Sequence, residues 1–438
     1  MESFFKMRER GTSLSTEVMA GLTTFLTMAY VIAVNPAILA DGGLPFTAAL
    51  TATCFGSAIM TAAMGLIANR PIALAPGMGL NAIVAYTLCI GAGVDWRVAM
   101  SCVMIEGIVI IVLVMAGLRE AIMNAIPASL RHSIAIGIGL FIAFIGMKGG
   151  GLVVSDESTL LALGNITDPV VIVSLVSIVS AIVLHTMNVP GGLLLSILLS
   201  TVLALFLGVS SLPTTWDFGL DFSAFAGPLQ EDPNGGGMAL LKVLVSPMLL
   251  MATFSLLMSD FFDTMGSVLA VAKKGGFATE DGGFENGRSI LLVDAGAAVV
   301  GGFLGSSSIT SYVESAAGAT AGARTGLSNL VVAVAFMLCA FLAPLFGIIP
   351  GSATCGALVV VGYLIMTDVA VIDWSRVEHA FPAFLTIVCI PLTYSITNGI
   401  GLGFISYCII MVFLGRAKEV HPLMWVASLA FLVAFIFT

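Results

Sequence analysis

Three carboxylates stand out against an apolar background. Asp260 and Asp263 lie in Ser259-Asp260-Phe261-Phe262-Asp263-Thr264, and Glu314 closes the segment Gly305-Ser306-Ser307-Ser308-Ile309-Thr310-Ser311-Tyr312-Val313-Glu314. An ionisable group at bilayer depth is costly and faces a cavity or a partner, so each is a candidate functional group. Carboxylates there can accept N–H groups from a small ligand and can take up and release protons, the chemistry of a transporter's substrate and proton site. Asp260 and Asp263, three residues apart, share a helix face. A plainer reading of Asp263 has its helix nearing the cytoplasm, with Lys273-Lys274 beyond and the carboxylate simply reaching water. For Glu314 the plainer role is to cap the half-helix that follows, where a first-turn carboxylate favours the dipole. Capping and ligand binding are compatible.

Other polar residues are more ambiguous. Asn81 follows the broken run Ala73-Leu74-Ala75-Pro76-Gly77-Met78-Gly79-Leu80 and either joins the site or satisfies loose backbone. Ser311, Ser315 and Thr320 surround Glu314. Tyr30 and Asn35-Pro36 interrupt the first span; Tyr30 borders the site or packs at an interface. Phe261 and Phe262 could stack on a planar ligand, although core- or lipid-facing Phe is commoner. Glu106 and Asp294 read first as structural anchors and second as parts of a proton path. None of His132, His185, His379 or His421 falls in a broken segment, which leaves proton handling to carboxylates.

The elements that must hold these residues are membrane helices. The 438 residues are 59% hydrophobic and 9% charged, with a mean hydropathy of +1.11, where a soluble chain carries about 25% charged residues. Apolar runs of about 20 residues, enough to cross a hydrocarbon core, recur along the whole chain. A β-barrel would show short alternating segments instead. With the N-terminus in the cytoplasm, all of the 16 Lys and Arg except Arg97, Lys148 and Lys242 fall inside, Arg119 among them, a positive-inside pattern. The outer loops are acidic, with Asp156, Glu157, Asp168, Asp217, Asp221, Glu231 and Asp232. Cys54, Cys89, Cys102, Cys339, Cys355, Cys389 and Cys408 are scattered through apolar stretches and read as buried free thiols, with no metal site. The run from Val18 to Ala40 reads as a retained first span, not a signal peptide.

Candidate spans are 18–39, 47–68, 74–90, 96–117, 130–147, 169–187 and 191–209, then 243–271, 289–304, 308–322, 326–347, 353–367, 381–396 and 399–414, with a further apolar run at 421–437. The polar connector 211–240 separates a first repeat (1–210) from a second (241–415), leaving 416–438 as a C-terminal apolar segment. An odd number of spans per half inverts one half relative to the other. Ile126-Pro127 with Ser129 recurs as Ile349-Pro350 with Ser352, each opening the fifth span of its half. The third span of each half is the odd one, broken by Pro76, Gly77 and Gly79 in one and by the hydroxyl-rich run before Glu314 in the other. Interrupted spans at corresponding places in two halves mark a transporter's binding site, because unpaired backbone is tolerated in a membrane only against protein or a water-filled cavity. Half-helices should then begin near Asn81 and near Glu314-Ser315.

At these same residues the chain resembles the xanthine/uracil permease superfamily (nucleobase:cation symporter-2), and within it the azaguanine-like branch of adenine, guanine and hypoxanthine permeases. The matching stretches are Gly21-Leu22-Thr23-Thr24-Phe25-Leu26-Thr27-Met28-Ala29-Tyr30 with Asn35-Pro36, Ala75-Pro76-Gly77-Met78-Gly79-Leu80-Asn81-Ala82, Asp260-Phe261-Phe262-Asp263-Thr264-Met265-Gly266 and Thr310-Ser311-Tyr312-Val313-Glu314-Ser315-Ala316-Ala317-Gly318. The resemblance implies an all-α polytopic fold of about 14 spans as two inverted seven-span repeats, with short strands in spans 3 and 10. It implies a core domain (about 18–117 plus 243–347) and a gate domain (about 130–209 plus 353–414), and a homodimer through the gate. Asp260 and Glu314 would bind the base with help from Asn81, and Asp263 would support binding or transport. Ser315, Tyr30 and Phe262 complete the candidate substrate set; Asp260, Asp263 and Glu314 are the candidate proton carriers. The expected activity is uptake of purine nucleobases with protons, by elevator-like alternating access in the bacterial inner membrane, sodium remaining open as the coupling ion. No cofactor or nucleic-acid partner is expected.

Carboxylates suit a purine, which offers ring N–H donors and a planar face, and a desolvated carboxylate can take a proton as substrate arrives. Competing readings are a xanthine or uracil permease, an inorganic-anion transporter of the same architecture, and a channel. An anion transporter should carry a basic residue at its site, and this one is acidic. Gly149-Gly150-Gly151 and Gly235-Gly236-Gly237 lack the strand-to-helix context of a phosphate loop, and no Walker motif occurs. No nucleophile–base set or metal cluster suggests an enzyme.

Overall fold

A chain in lipid must satisfy its backbone polar groups internally, which a continuous helix does within itself and a broken one cannot. The computed structural model describes residues 2–117, 125–213, 218–235, 237–279 and 283–437; Arg119, Asp217 and Gly236 lie outside them. The elements are α1 (Leu14–Met28), α2 (Val31–Asp41), α3 (Phe46–Ile67), β1 (Leu74–Pro76), α4 (Met78–Ala82), α5 (Trp96–Met115), α6 (Ala128–Gly149), α7 (Pro169–Thr186) and α8 (Gly192–Phe206). The second half supplies α9 (Pro247–Gly275), α10 (Gly287–Leu304), β2 (Ile309–Ser311), α11 (Ser315–Thr320), α12 (Leu327–Ala340), α13 (Gly351–Met366), α14 (Val377–Leu392), α15 (Ile396–Phe413) and α16 (Pro422–Phe437). Among the described residues nine helical segments are long and apolar enough to cross a membrane, α1 and α2 together counting as one. The α4 helix continues as a wider-pitched helix over Ile83–Gly91.

Local chemistry sets the ends. Asp168 accepts the Val170 N–H with Pro169 at the first helical position of α7, and Ser246 accepts the Leu249 N–H with Pro247 opening α9. Gly276 and Gly305, in left-handed conformations, end α9 and α10. The two Ile-Pro motifs behave alike, Pro127 and Pro350 standing immediately before α6 and α13. The first span breaks at Ala29-Tyr30, whereas Pro36 sits inside α2. Its ring denies α2 one backbone donor, yet the helix absorbs the loss within the bundle. The run 421–437 forms α16, which packs on α15 and α9.

Two groups of helices pack most closely among themselves. One joins α1 and α3 to α12, α5 to α9 and α10, and α3 to α10; the other joins α6 to α13 and α14, α7 to α8 and α13, and α14 to α15. Small residues let the backbones touch. A Cβ on Gly139 of α6 would lie 2.9 Å from the Gly362 carbonyl oxygen of α13, and one on Gly362 would in turn strike the Gly139 carbonyl. At one end of the bundle the connector is tied down by Ala226 N–H to the Phe303 carbonyl (2.7 Å), Thr47 to Asp221 (2.8 Å) and Arg97 to Gln230 (2.8 Å). At the other end Arg10 bonds the Asn69 and Arg324 carbonyls, Arg70 pairs with Glu285, and Arg324 reaches the Ala319 and Ala323 carbonyls.

Gly362→Leu should therefore overpack the α6–α13 crossing and lower the thermal midpoint of the detergent-purified protein by the equivalent of about 1–3 kcal/mol. Gly296→Ala, where an added Cβ meets nothing within 4 Å, should leave the midpoint unchanged or raise it slightly.

Candidate functional site

The two broken spans satisfy each other. β1 and β2 pair antiparallel with Leu74 opposite Ser311, Ala75 opposite Thr310 and Pro76 opposite Ile309. The ladder runs on through Gly77 N–H to the Ser308 carbonyl (2.9 Å) and Tyr312 N–H to the Ala73 carbonyl (3.0 Å). Side chains close the remaining edges. Thr61 Oγ1 donates to the Leu74 carbonyl and accepts the Leu74 N–H, both at 2.9 Å. Asp294 accepts the Ser311 N–H (2.9 Å), the Ser311 hydroxyl (2.7 Å) and the Thr264 hydroxyl (2.6 Å). Asp294 is thus an anchor that fastens β2 to α9 and α10.

Half-helices α4 and α11 leave this ribbon, with Glu314 at the N-cap of α11. Between the ribbon, α9 and the helices α6 and α13 lies a cavity of about 530 Å³. Along α9 its wall is Ser259, Phe262, Asp263, Gly266 and Ser267, the 3–4 spacing of a single helix face. Across from them stand Tyr30, Gly77, Met78, Ser311, Tyr312 and Glu314, and α6 and α13 contribute Ile134, Ile138, Val361 and Ile365. The Tyr30 hydroxyl donates to Glu314 Oε1 at 2.9 Å. Asp263 is exposed, and the surface it presents belongs to the cavity wall.

The candidate residues therefore divide. Asp263, Glu314, Tyr30 and Phe262 share the cavity. Asp260 is buried behind them, turned toward Glu106 of α5. Asn81 is buried and donates to Asn35 Oδ1 at 2.8 Å, while Asn35 donates to Thr53 and to the Ser306 carbonyl, a chain that ties spans 1 and 3 to the second broken segment. Ser315 Oγ accepts the Ala73 N–H at 2.9 Å and so joins the two broken spans. Phe261 is buried and meets Phe262 edge to face, ring centroids 5.6 Å apart.

Two features escaped the sequence reading. Glu17, fully buried, accepts the Arg324, Thr325 and Ser328 N–H groups and caps the start of α12; a lone carboxylate directly before the first apolar run was the available signal. At the connector end of the bundle, Tyr86, Phe141, Phe144 and Tyr394 form an edge-to-face ring cluster. Tyr86 donates to Asp41 at 2.7 Å, and Lys148 donates to the Tyr394 hydroxyl at 3.2 Å.

A ligand-sized cavity where two interrupted spans meet, inside a bundle of apolar helices, defines an integral membrane transporter. The model of a permease family (Xan_ur_permease) matches residues 15–402, and the chain belongs to that family. It is 40% identical to the guanine/hypoxanthine permease PbuG of Bacillus subtilis over all of both chains. It is 37% identical to the adenine permease AdeP of Escherichia coli K12, covering 100% of this chain and 96% of the relative. The transmembrane domain of a cyanobacterium bicarbonate transporter, BicA, superposes with a TM-score of 0.64 over 88% of this chain and 97% of that one, at 17% identity, a likeness of fold alone.

Asp294→Ala should orphan the buried Ser311 N–H, at a cost of roughly 1–3 kcal/mol for each group left unpaired. Purified protein should melt correspondingly lower, and Asp294→Asn, which keeps an acceptor, should recover part of the loss.

Proposed function

We propose that this chain carries purine nucleobases across the membrane together with protons. The observation that carries this is an acidic cavity large enough for a base, in a chain related along its whole length to permeases named for guanine, hypoxanthine and adenine. Glu314 and Asp263 accept the base's N–H groups, Tyr30 holds the Glu314 carboxyl in place, and Phe262 flanks the ring face. Carboxylates acting as ligand acceptors leave a charge in the low-dielectric interior, and a co-transported proton offsets it. Asp260, Asn81 and Ser315 support the site from behind, Asn81 and Ser315 by fixing the broken spans. A reading as an inorganic-anion transporter is disfavoured because no Lys, Arg or His is among the residues described as lining the cavity.

The helices α1–α5 with α9–α12 act as the core that carries the site, and α6–α8 with α13–α15 act as the gate, through which two copies associate. The site moves past the gate in elevator fashion. With the N-terminus in the cytoplasm of a bacterial inner membrane, as the segregation of Lys and Arg supports, the aromatic cluster closes the outer side and the cavity opens inward.

Uptake of labelled hypoxanthine should be competed by unlabelled adenine or guanine and barely by uracil, and a protonophore should abolish accumulation. Glu314→Gln should lower kcat/KM by roughly 10- to 100-fold, the worth of about 1.5–3 kcal/mol for a hydrogen bond to a charged group. Bicarbonate flux without purine uptake, or full uptake by Glu314→Gln, would sink the assignment.

A further inference from the structure

Glu106 is fully buried midway along α5, and it neither stitches the broken spans nor lines the cavity. Its position is set by backbone contact. A Cβ on the adjacent Gly107 would sit 2.6 Å from the Val299 nitrogen of α10, and one on Gly302 would sit 2.8 Å from the Met100 carbonyl oxygen of α5. Helices this close cannot turn about their axes, which fixes the direction in which Glu106 leaves the α5 backbone. There it faces Asp260 of α9, a helix that packs directly on α5 and accepts a contact from Cys102 Sγ at the Leu249 carbonyl. The titratable groups facing it are Asp260, Asp294 of α10, and Cys102 one turn back on its own helix. None is a cation. Asp294 is already committed to Ser311 and Thr264, which leaves Asp260 as the carboxyl with which Glu106 interacts most directly.

Two carboxyls in contact and out of water do not both ionise; they hold a proton between them and titrate as a unit. We propose that Glu106 and Asp260 form the transporter's proton-holding pair, with Glu106 as the positioning residue that decides when Asp260 carries charge. With one proton always shared, the pair cycles a second: on one side a hydronium O–H bond breaks as an O–H bond forms on the remaining carboxylate, and on the opposite side that O–H breaks as a water molecule takes the proton and becomes hydronium. Asp260 lies one turn from Asp263 on α9, so the pair's charge is felt at the cavity. A purely structural Glu106 would need only a hydrogen-bonding side chain of this length, which glutamine supplies. The two roles therefore separate in one substitution.

This rests on the purine-transport reading, and the two fail differently. A wild-type protein that takes up no hypoxanthine refutes purine transport; failure of the pair appears only in the variants. The measurement is the KM for labelled hypoxanthine in everted or right-side-out vesicles from about pH 5 to pH 8. One linked proton changes KM by up to about tenfold per pH unit where the pair loses it. In Glu106→Gln the amide donates permanently to an ionised Asp260, and KM should stay within about twofold across the range, with proton-driven accumulation lost. Glu106→Asp keeps an acid and should keep the slope. A wild-type slope in Glu106→Gln overturns the pair, as does transport without a slope in Glu106→Asp. If the amide variant does not reach the membrane, Asp260→Asn carries the same test from the other side: a flattened KM profile supports the pair and an unchanged one overturns it.

Discussion

Everything at this site depends on one requirement: a peptide group inside a membrane must find a partner, and a span that stops being a helix loses the partners it had. The chain meets it by breaking two spans and pairing the breaks with each other. β1 supplies Leu74–Pro76, β2 supplies Ile309–Ser311, and the ladder is carried further by Gly77 and Tyr312. Neither half could contain such a break alone. The requirement therefore couples residues more than two hundred positions apart and places both half-helices beside one cavity. Thr61 and Asp294 finish the accounting on the outer edges, which is why a carboxylate can lie buried at Asp294 without being spare.

Rigidity follows from how backbones meet. Gly65 and Gly326 bring α3 against the turn that opens α12, Gly107 and Gly302 bring α5 against α10, and Gly139 and Gly362 bring α6 against α13. At these crossings contact is backbone on backbone, which resists sliding because a displacement of one residue puts a side chain where a hydrogen atom was. Between the groups at the connector end, contact is made by rings: Tyr86 against Phe141 and Tyr394. Rings meeting edge to face can part and re-form with modest loss. The proposed core and gate divide along that contrast.

The spans themselves were legible because hydropathy and length are local properties, and the two breaks were legible because Pro76, Gly77 and the serine run before Ile309 cannot continue a helix comfortably. Long-range partners were not. Nothing near Asn81 announces that its amide goes to Asn35, and nothing near Ser315 announces the Ala73 N–H. The break in the first span fell at Ala29-Tyr30 and not at Pro36, because a proline removes one donor while the surrounding bundle decides whether the helix survives it. Asp260 and Asp263 share a face by spacing, yet only Asp263 reaches the cavity wall. A helical face is wide enough for one turn to separate a group in contact with ligand from one in contact with the next helix.

That separation has consequences for how such a site can work. A cavity whose ionisable groups are all acids attracts N–H donors but would, if every acid were charged, carry its burden through a medium that resists it. The cost falls steeply when the charges are neutralised by small mobile partners instead of fixed cations, and a proton is the smallest partner available. A fixed Lys or Arg at the cavity would neutralise the carboxylates permanently and compete with the ligand for the same acceptor atoms. The described lining residues include no Lys or Arg, and under the proposed function the proton takes that part. In the proposed cycle Asp263 and Glu314 at the wall receive the ligand's N–H groups, while Asp260, set back against Glu106, answers first to its neighbour on α5.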